Sequence, residues 1–343
     1  MFADVESLDL ASLTPYLEAH VEGFAGPARA EKFSGGQSNP TFRVTTPSRV
    51  YVLRRQPPGK LLKSAHAVDR EYRVMAALAG TDVPVPHVLH LCEDRDVIGS
   101  MFYVMEYCDG RIFWDASLPE LDRVERGRIY DEMIRVLADL HRVDPGAVGL
   151  ADFGRPGNYF RRQYDRWCAQ YRASELERIG PMEDLIDWLS GNIPADDGRV
   201  SLVHGDFRLD NFIFHRQKPR AIALLDWELS TLGHPFADVG YLCMLLRLPQ
   251  NVGRMSGLRG CDLAALGIPG EAEYVARYCE LAGLDGIGNF NFYIAFSFFR
   301  LASIIQGVAR RALEGNASNR DAAAVGRFVR PMAEFALEAI HHG

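Results

Sequence analysis

Two short apolar runs limit what this chain can fold into more than anything else in it. Phe212-Ile213-Phe214 and Ala221-Ile222-Ala223-Leu224-Leu225 are separated by the polar, proline-containing stretch His215-Arg216-Gln217-Lys218-Pro219-Arg220. Apolar runs bounded in this way predict a β-hairpin. In an antiparallel hairpin, the residue before the first strand and the residue after the second lie at the same open end, about one strand spacing (~5 Å) apart. Here those residues are Asn211 and Asp226. The spacing therefore predicts that an amide and a carboxylate converge. It also predicts that Asp206, earlier on the loop His204-Gly205-Asp206-Phe207-Arg208-Leu209-Asp210-Asn211, can reach the same place.

An amide oxygen and a carboxylate are suitable partial ligands for Mg²⁺, which keeps waters and takes its other ligands from substrate phosphates. Phosphoryl transfer from ATP asks a protein for little more: a carboxylate to take a hydroxyl proton, and oxygen ligands for the metal. Protein kinases carry these groups in H-R-D-L-x-x-x-N followed by D-F-G. This chain keeps the Asp-to-Asn spacing, with Gly205 in place of Arg and Asp226-Trp227 in place of D-F-G, and it has no A-P-E segment. In these respects it resembles the aminoglycoside phosphotransferase superfamily of small-molecule kinases. The bland alternative is a turn at His204-Gly205-Asp206 and a helix cap at Asp226.

The resemblance implies a lobe that covers the phosphates of ATP. Phe33-Ser34-Gly35-Gly36-Gln37-Ser38-Asn39 leads into Thr41–Thr45 and Val50–Arg54, a glycine-bearing loop entering a hairpin. Backbone N–H groups at Gly35 and Gly36, with donors at Ser34 and Ser38, suit an anion, with Asn39 also placed at the nucleotide, although a pair of glycines alone is more often an ordinary hairpin or bulge. A helix over Ala67–Ala79 follows, with an apolar stripe through Val68, Tyr72, Met75 and Ala79. In kinases a strand cation pairs with phosphates and with a glutamate on such a helix. By resemblance the pair is Arg54 and Glu71. Arg55 is the competitor, because strand alternation sends the two arginines to opposite faces. Met101–Cys108 reads as a buried strand, by analogy the last of the lobe, whose backbone near Glu106 and Cys108 would face adenine.

The expected fold class is α+β: a two-lobed protein-kinase-like fold with a small antiparallel-sheet N-lobe carrying one main helix (1–107) and a large, mostly helical C-lobe (108–343). A net charge of -7 and a pI near 5.8 argue against a nucleic-acid partner, which calls for a basic field. The acidic start Met1-Phe2-Ala3-Asp4-Val5-Glu6 does not read as a signal peptide, and the apolar segment Phe290–Val308 is interrupted by Arg300 and Gln306. It reads as a core helix rather than a membrane span, so the expected location is cytoplasmic, with no membrane partner. The six cysteines form no C-x-x-C pair and read as reduced core residues. Oligomeric state is left open.

The acceptor is addressed by other segments. Residues 155–172 hold five arginines against one acid, Asp165, which is either a solvated helix face or an anion-binding surface. Asn158–Gln163, Gln170–Glu175, Leu202–Asn211, Leu225–Gly233 and Phe299–Gly307 look like the phosphotransferase domain found fused to some acyl-CoA dehydrogenases. That resemblance implies Asp206 as base, Asn211 and Asp226 as magnesium ligands, Arg208 as a γ-phosphate contact, ATP and Mg²⁺ as cofactors, and the hydroxyl of a hydroxyacyl-CoA as acceptor. The alternatives are an aminoglycoside O-phosphotransferase, which should present clustered acids to a polycation, and a nucleotide-binding homologue that transfers nothing. The glycine-rich segment Pro249–Gly270 is either a lid over the acceptor or a surface insertion.

Overall fold

The computed structural model describes residues 8–33, 39–57, 67–250, 252, 255, 257–313 and 325–341. The fold is α+β, and the chain divides into two compact units: Met1–Arg111 with Phe212–Ser230, and Ile112–Asn211 with Thr231–Gly343.

The first unit is built on an antiparallel sheet in the order β1-β2-β3-β5-β4, with β1 Arg29–Lys32, β2 Thr41–Thr45, β3 Val50–Arg55, β4 Val88–Cys92 and β5 Phe102–Glu106. Alternation sorts the side chains. Phe42, Val44, Leu53, Phe102 and Val104 form one core with Leu13, Leu17, Val21 and Phe24, brought by and just after an N-terminal helix, α1 Leu10–His20. That helix adds to the single one expected, α2 Val68–Leu78, which packs on β4 and β5. Because Leu53 belongs to the α1 core, its neighbour Arg54 projects to the other face. Arg55 returns to the first face, buried with its guanidinium 5.5 Å from the Phe42 ring.

The hairpin predicted from the apolar runs is present in this unit. β8 Phe212–His215 pairs antiparallel with β9 Ala221–Leu224, in register Phe212↔Leu224, and the His215 N–H donates to the Arg220 carbonyl at 2.8 Å to close the turn. A short strand, β6 Gly110–Arg111, adds to its free edge.

The second unit is helical: α3 Arg123–Arg142, α4 Tyr159–Ser174, α5 Gly180–Asn192, α6 Phe236–Arg247, α7 Leu263–Leu266, α8 Glu271–Ala282, α9 Phe290–Leu313 and α10 Val329–His341, with β7 Ser201–Val203 paired to β10 Thr231–Gly233. Helix α9 is long and apolar enough to cross a membrane by composition, but 83% of its apolar window is buried. It is the core helix, touching α4, α5, α6 and α10. Its Phe292, Phe298 and Phe299 are fully buried, each contributing roughly 1.5–3 kcal/mol. Gly240 allows α6 to approach this closely: a Cβ there would lie 2.7 Å from the Tyr293 backbone oxygen. Pro249–Gly270 is not structureless, since it holds α7 and a parallel bridge between Pro249 and Arg259.

Candidate active site

In the first unit the polar face of the sheet carries an ion-pair cluster. Arg54 Nε lies 2.9 Å from Glu71 Oε2 as an ion pair, Nη2 donates to Asp226 Oδ1 at 3.0 Å, and Glu228 Oε2 lies 4.0 Å from Nη2. Burial works against the Arg54 charge, but Glu71, Tyr103, Asp226 and Glu228 outweigh it and hold the guanidinium firmly protonated. Glu71 is 1% exposed and accepts from Asn39 Nδ2 at 2.8 Å and the Tyr103 hydroxyl at 3.1 Å. Burial, joined by the charge of Asp226, pushes its carboxyl above the ordinary value against the pull of Arg54. Of the two candidate arginines, it is Arg54 that meets the helix glutamate.

Asp226 follows the second hairpin strand and takes a left-handed conformation, φ 66° and ψ 57°. Such backbone in a non-glycine residue carries a strain that surrounding contacts must outweigh. Trp227 supplies one, being 1% exposed with its indole N–H donated to the Leu224 carbonyl at 2.9 Å.

The other residues expected around the nucleotide fall into three groups. Ser34, Gly35, Gly36 and Ser38 lie outside the described residues. Asn39 is 1% exposed and donates from Nδ2 to Glu71 at 2.8 Å, which supports the glutamate that meets Arg54. Glu106 and Cys108 flank the end of β5. The Glu106 backbone N–H is taken by the His87 carbonyl at 2.9 Å, which removes it from any adenine contact, while the Cys108 N–H donates to no described residue. Burial and Glu106 push the Cys108 thiol up to about 12, so it stays protonated.

In the second unit the loop from His204 to Asn211 hangs from α6. Asp238, fully buried, accepts the His204 N–H at 2.7 Å on Oδ2 and the Gly205 N–H at 2.8 Å on Oδ1. His141 Nε2 lies 3.3 Å from Oδ2. Burial raises the Asp238 pKa, but His141, His204 and the Gly205 N–H together bring it below the usual carboxylate value. Gly205 has φ 84°, a conformation glycine alone adopts freely, which accounts for glycine where protein kinases carry arginine.

The turn presents Asp206, whose side chain is 18% exposed. Oδ1 accepts the Tyr241 hydroxyl at 2.6 Å, and Oδ2 accepts from Arg208 Nε and Asn211 Nδ2, each at 3.2 Å. Burial raises the Asp206 pKa; Arg208, Tyr241, His204 and Asn211 more than offset it, so the carboxyl is ionised below its ordinary range. Asn211 Nδ2 also donates to the Asp206 carbonyl at 2.8 Å. With its nitrogen fixed by two acceptors, the Asn211 amide keeps its oxygen for another partner. Arg208 is bracketed by Asp206 and by Asp210, which lies 3.3 Å from Nη2.

Tyr241 and His141, which hold this loop, are not singled out by the sequence pattern. Asp238 and Tyr241 are one turn apart on α6, where such residues share a face, so a helix entering at Asp238 offered a signal for the tyrosine. His141 offered none. Beside the loop, in the same unit, a narrow apolar cavity of about 30 Å³ is lined by Trp114, Met133, Leu242, Leu246 and Leu258, among others, with Arg208 and Asp210 on its wall. Leu258 brings the Pro249–Gly270 segment into that lining.

This loop, this hairpin and the sheet with its arginine–glutamate pair define a phosphotransferase of protein-kinase-like fold. Residues 29–259 match the profile of the phosphotransferase enzyme family (APH), and the chain belongs to that family. A crystal structure of a Ralstonia eutropha protein assigned to the aminoglycoside phosphotransferases is 51% identical, with a TM-score of 0.88 over 97% of this chain and 98% of that one. Mouse acyl-CoA dehydrogenase family member 10 is 49% identical over 327 residues, and rat acyl-CoA dehydrogenase family member 11 is 43% identical over 336. These matches cover 94% and 96% of this chain but only 30% and 43% of the relatives' own lengths. Spectinomycin phosphotransferase, solved with ADP and spectinomycin, has a TM-score of 0.62 at 11% identity over 97% of this chain and 98% of that one, a likeness of fold.

Proposed function

We propose that the chain transfers the γ-phosphate of ATP to a hydroxyl of a small molecule, with Asp206 as base and a hydroxyacyl-CoA as acceptor. The observation that carries the transfer is the Asp206 carboxylate: ionised, partly open, and oriented by the Tyr241 hydroxyl, Arg208 and Asn211. Phosphoryl transfer rewards positioning more than covalent chemistry. A carboxylate whose two oxygens are both oriented can direct an acceptor hydroxyl and receive its proton. Arg208 shields that charge and, as the resemblance implies, meets the γ-phosphate.

Arg54, held by Glu71, is the cation for the other phosphates. The donor types fit magnesium. Asp226 offers a carboxylate in a cluster where acids exceed the one guanidinium, and Asn211 offers an amide oxygen. Bound magnesium would neutralise phosphate charge.

The acceptor reading draws on the apolar cavity beside Arg208 and Asp210. Most of its lining suits methylene groups, with the one carboxylate of Asp210 balanced by Arg208, and relatives 43% and 49% identical carry acyl-CoA dehydrogenase names. Incubation with Mg-ATP and a panel of hydroxyacyl-CoAs, sugars and aminoglycosides, read by mass spectrometry, tests it. A phosphorylated hydroxyacyl-CoA is expected. Modification of aminoglycosides alone would overturn the acceptor, and no product from any of them would overturn the transfer.

A further inference from the structure

The arginines of α4 are mostly spent within the unit. Arg172 pairs with Glu183, Arg162 donates to the Arg155 and Pro156 carbonyls, and Arg161 donates to the Ser190 carbonyl at 3.4 Å. The solvated-face reading therefore holds for these three. Arg166 is exposed too, but its guanidinium, like that of Arg300 on α9, lies against the Trp167 ring. The Arg166 guanidinium lies 5.4 Å from the Trp167 ring, and that of Arg300 lies 5.8 Å from Trp167 and 5.9 Å from Tyr241. No carboxylate among the described residues pairs with either, although Arg172 and Arg208 nearby each hold an acid.

Both guanidiniums face one indole ring, and Arg300 is half-buried, so part of its hydration is lost, while Arg166 is exposed. Stacking on aromatic faces offsets some of that cost, and a bound anion would offset more. Two further observations point the same way. Trp167 is 6% exposed, and its Nε1–H has no hydrogen-bond partner among the described residues; a buried donor left unpaired is costly unless a ligand completes it. Burial, with Asp238, pushes the Tyr159 phenol up to about 12 against the pull of Arg300, Arg166 and Arg162, so three of these guanidiniums act on that hydroxyl as well. The location is also telling. Tyr241, which Arg300 flanks, donates its hydroxyl to Asp206 at 2.6 Å. One phenol ring separates Arg300 from the proposed base.

We infer that Arg166 and Arg300, at the Trp167 ring, seat the acceptor's own anionic group, a phosphate or a carboxylate, and thereby select which hydroxyl reaches Asp206. The selection rests on the phosphotransfer reading; the anion seat does not. An acceptor held at this seat would present its hydroxyl at a fixed distance from its charge, so the position of the hydroxyl along the chain becomes the specificity variable.

Calorimetric titration of the full chain, without ATP, tests the seat. The probes are coenzyme A, which carries phosphates, and a free hydroxy fatty acid, which carries a carboxylate. The proteins are wild type, Arg300→Gln, Arg300→Lys, Arg166→Gln and, as a control removing one charge from the same helix, Arg172→Gln. Arg300→Gln and Arg166→Gln should each weaken one probe at least about 10-fold, the scale of a lost charge-assisted contact. Arg300→Lys should restore part of the loss, and Arg172→Gln should match wild type. Loss of coenzyme A binding identifies a phosphate as the occupant, and loss of fatty-acid binding identifies a carboxylate. If wild type binds neither probe, or if both Gln variants bind as wild type does, the seat is wrong. Loss confined to these variants with no acceptor phosphorylated would leave the seat standing and remove the phosphotransfer reading instead. With turnover, Arg300→Gln should raise the acceptor KM more than it lowers kcat, which a purely structural role would not produce.

Discussion

Around Arg54, three carboxylates share one guanidinium; around Asp206, a guanidinium, a phenol and an amide share one carboxylate. The first arrangement has surplus negative charge and the second has surplus donors. In the first, Glu71 is pushed up by burial and by its acidic neighbour; in the second, Asp206 is brought below its usual value although burial raises it. The same residue types thus produce an acid-rich cluster suited to cations and a carboxylate committed to its ionised form. Charge balance, rather than composition, separates the two roles.

The comparison can be broken at its strongest point first. Asp206→Asn keeps the shape of the loop but removes the charge its donors surround. Turnover should fall by about 10²- to 10⁴-fold, with ATP affinity nearly intact in equilibrium dialysis, and wild-type turnover would remove Asp206 from the mechanism. Asp226→Ala acts on the other side of the comparison. It should weaken magnesium-dependent nucleotide binding by at least about 10-fold, and an unchanged Mg-ATP affinity would show that the acid surplus around Arg54 serves only the fold.

The smallest and most discriminating change is Tyr241→Phe, which deletes one donor to Asp206. Because that hydrogen bond lowers the Asp206 pKa, its loss raises it. The base must be ionised to act, so the acidic limb of the kcat/KM profile should move to higher pH, with turnover at neutral pH down by about 10-fold at most. A limb that stays in place, or moves to lower pH, would mean that Tyr241 does not tune Asp206.

Local pattern made much of this legible in advance. The β8–β9 hairpin, the helix bearing Glu71 and the loop residues Asp206 and Asn211 all follow from runs and spacings a few residues long. Arg54 could be narrowed to two positions by alternation, and only packing against Phe42 removed Arg55. Tyr241 and His141 were not read because their contacts span 35 and 97 residues of chain, a separation over which no periodicity operates. Nor does sequence order reveal that Phe212–Ser230 clusters with the sheet unit, although it follows the long first segment, Ile112–Asn211, of the helical one. The contact of Asn39 was hidden for a related reason: its partner, Glu71, lies 32 residues away on a helix, and a polar residue beside a glycine-bearing loop gives no local sign that it faces inward.

Asp238 and Tyr241 leave the same face of α6, one gripping the backbone of the catalytic loop and the other its carboxylate. Gly240, between them, lets that helix sit directly on the core helix α9. Any displacement of α6 would therefore be a common-mode error: loop and carboxylate would travel together, and the orientation of Asp206 within its own loop would survive. Tolerance to mutation should follow from this, since substitutions that shift α6 as a whole would be absorbed, whereas one that alters the pitch between positions 238 and 241 would not.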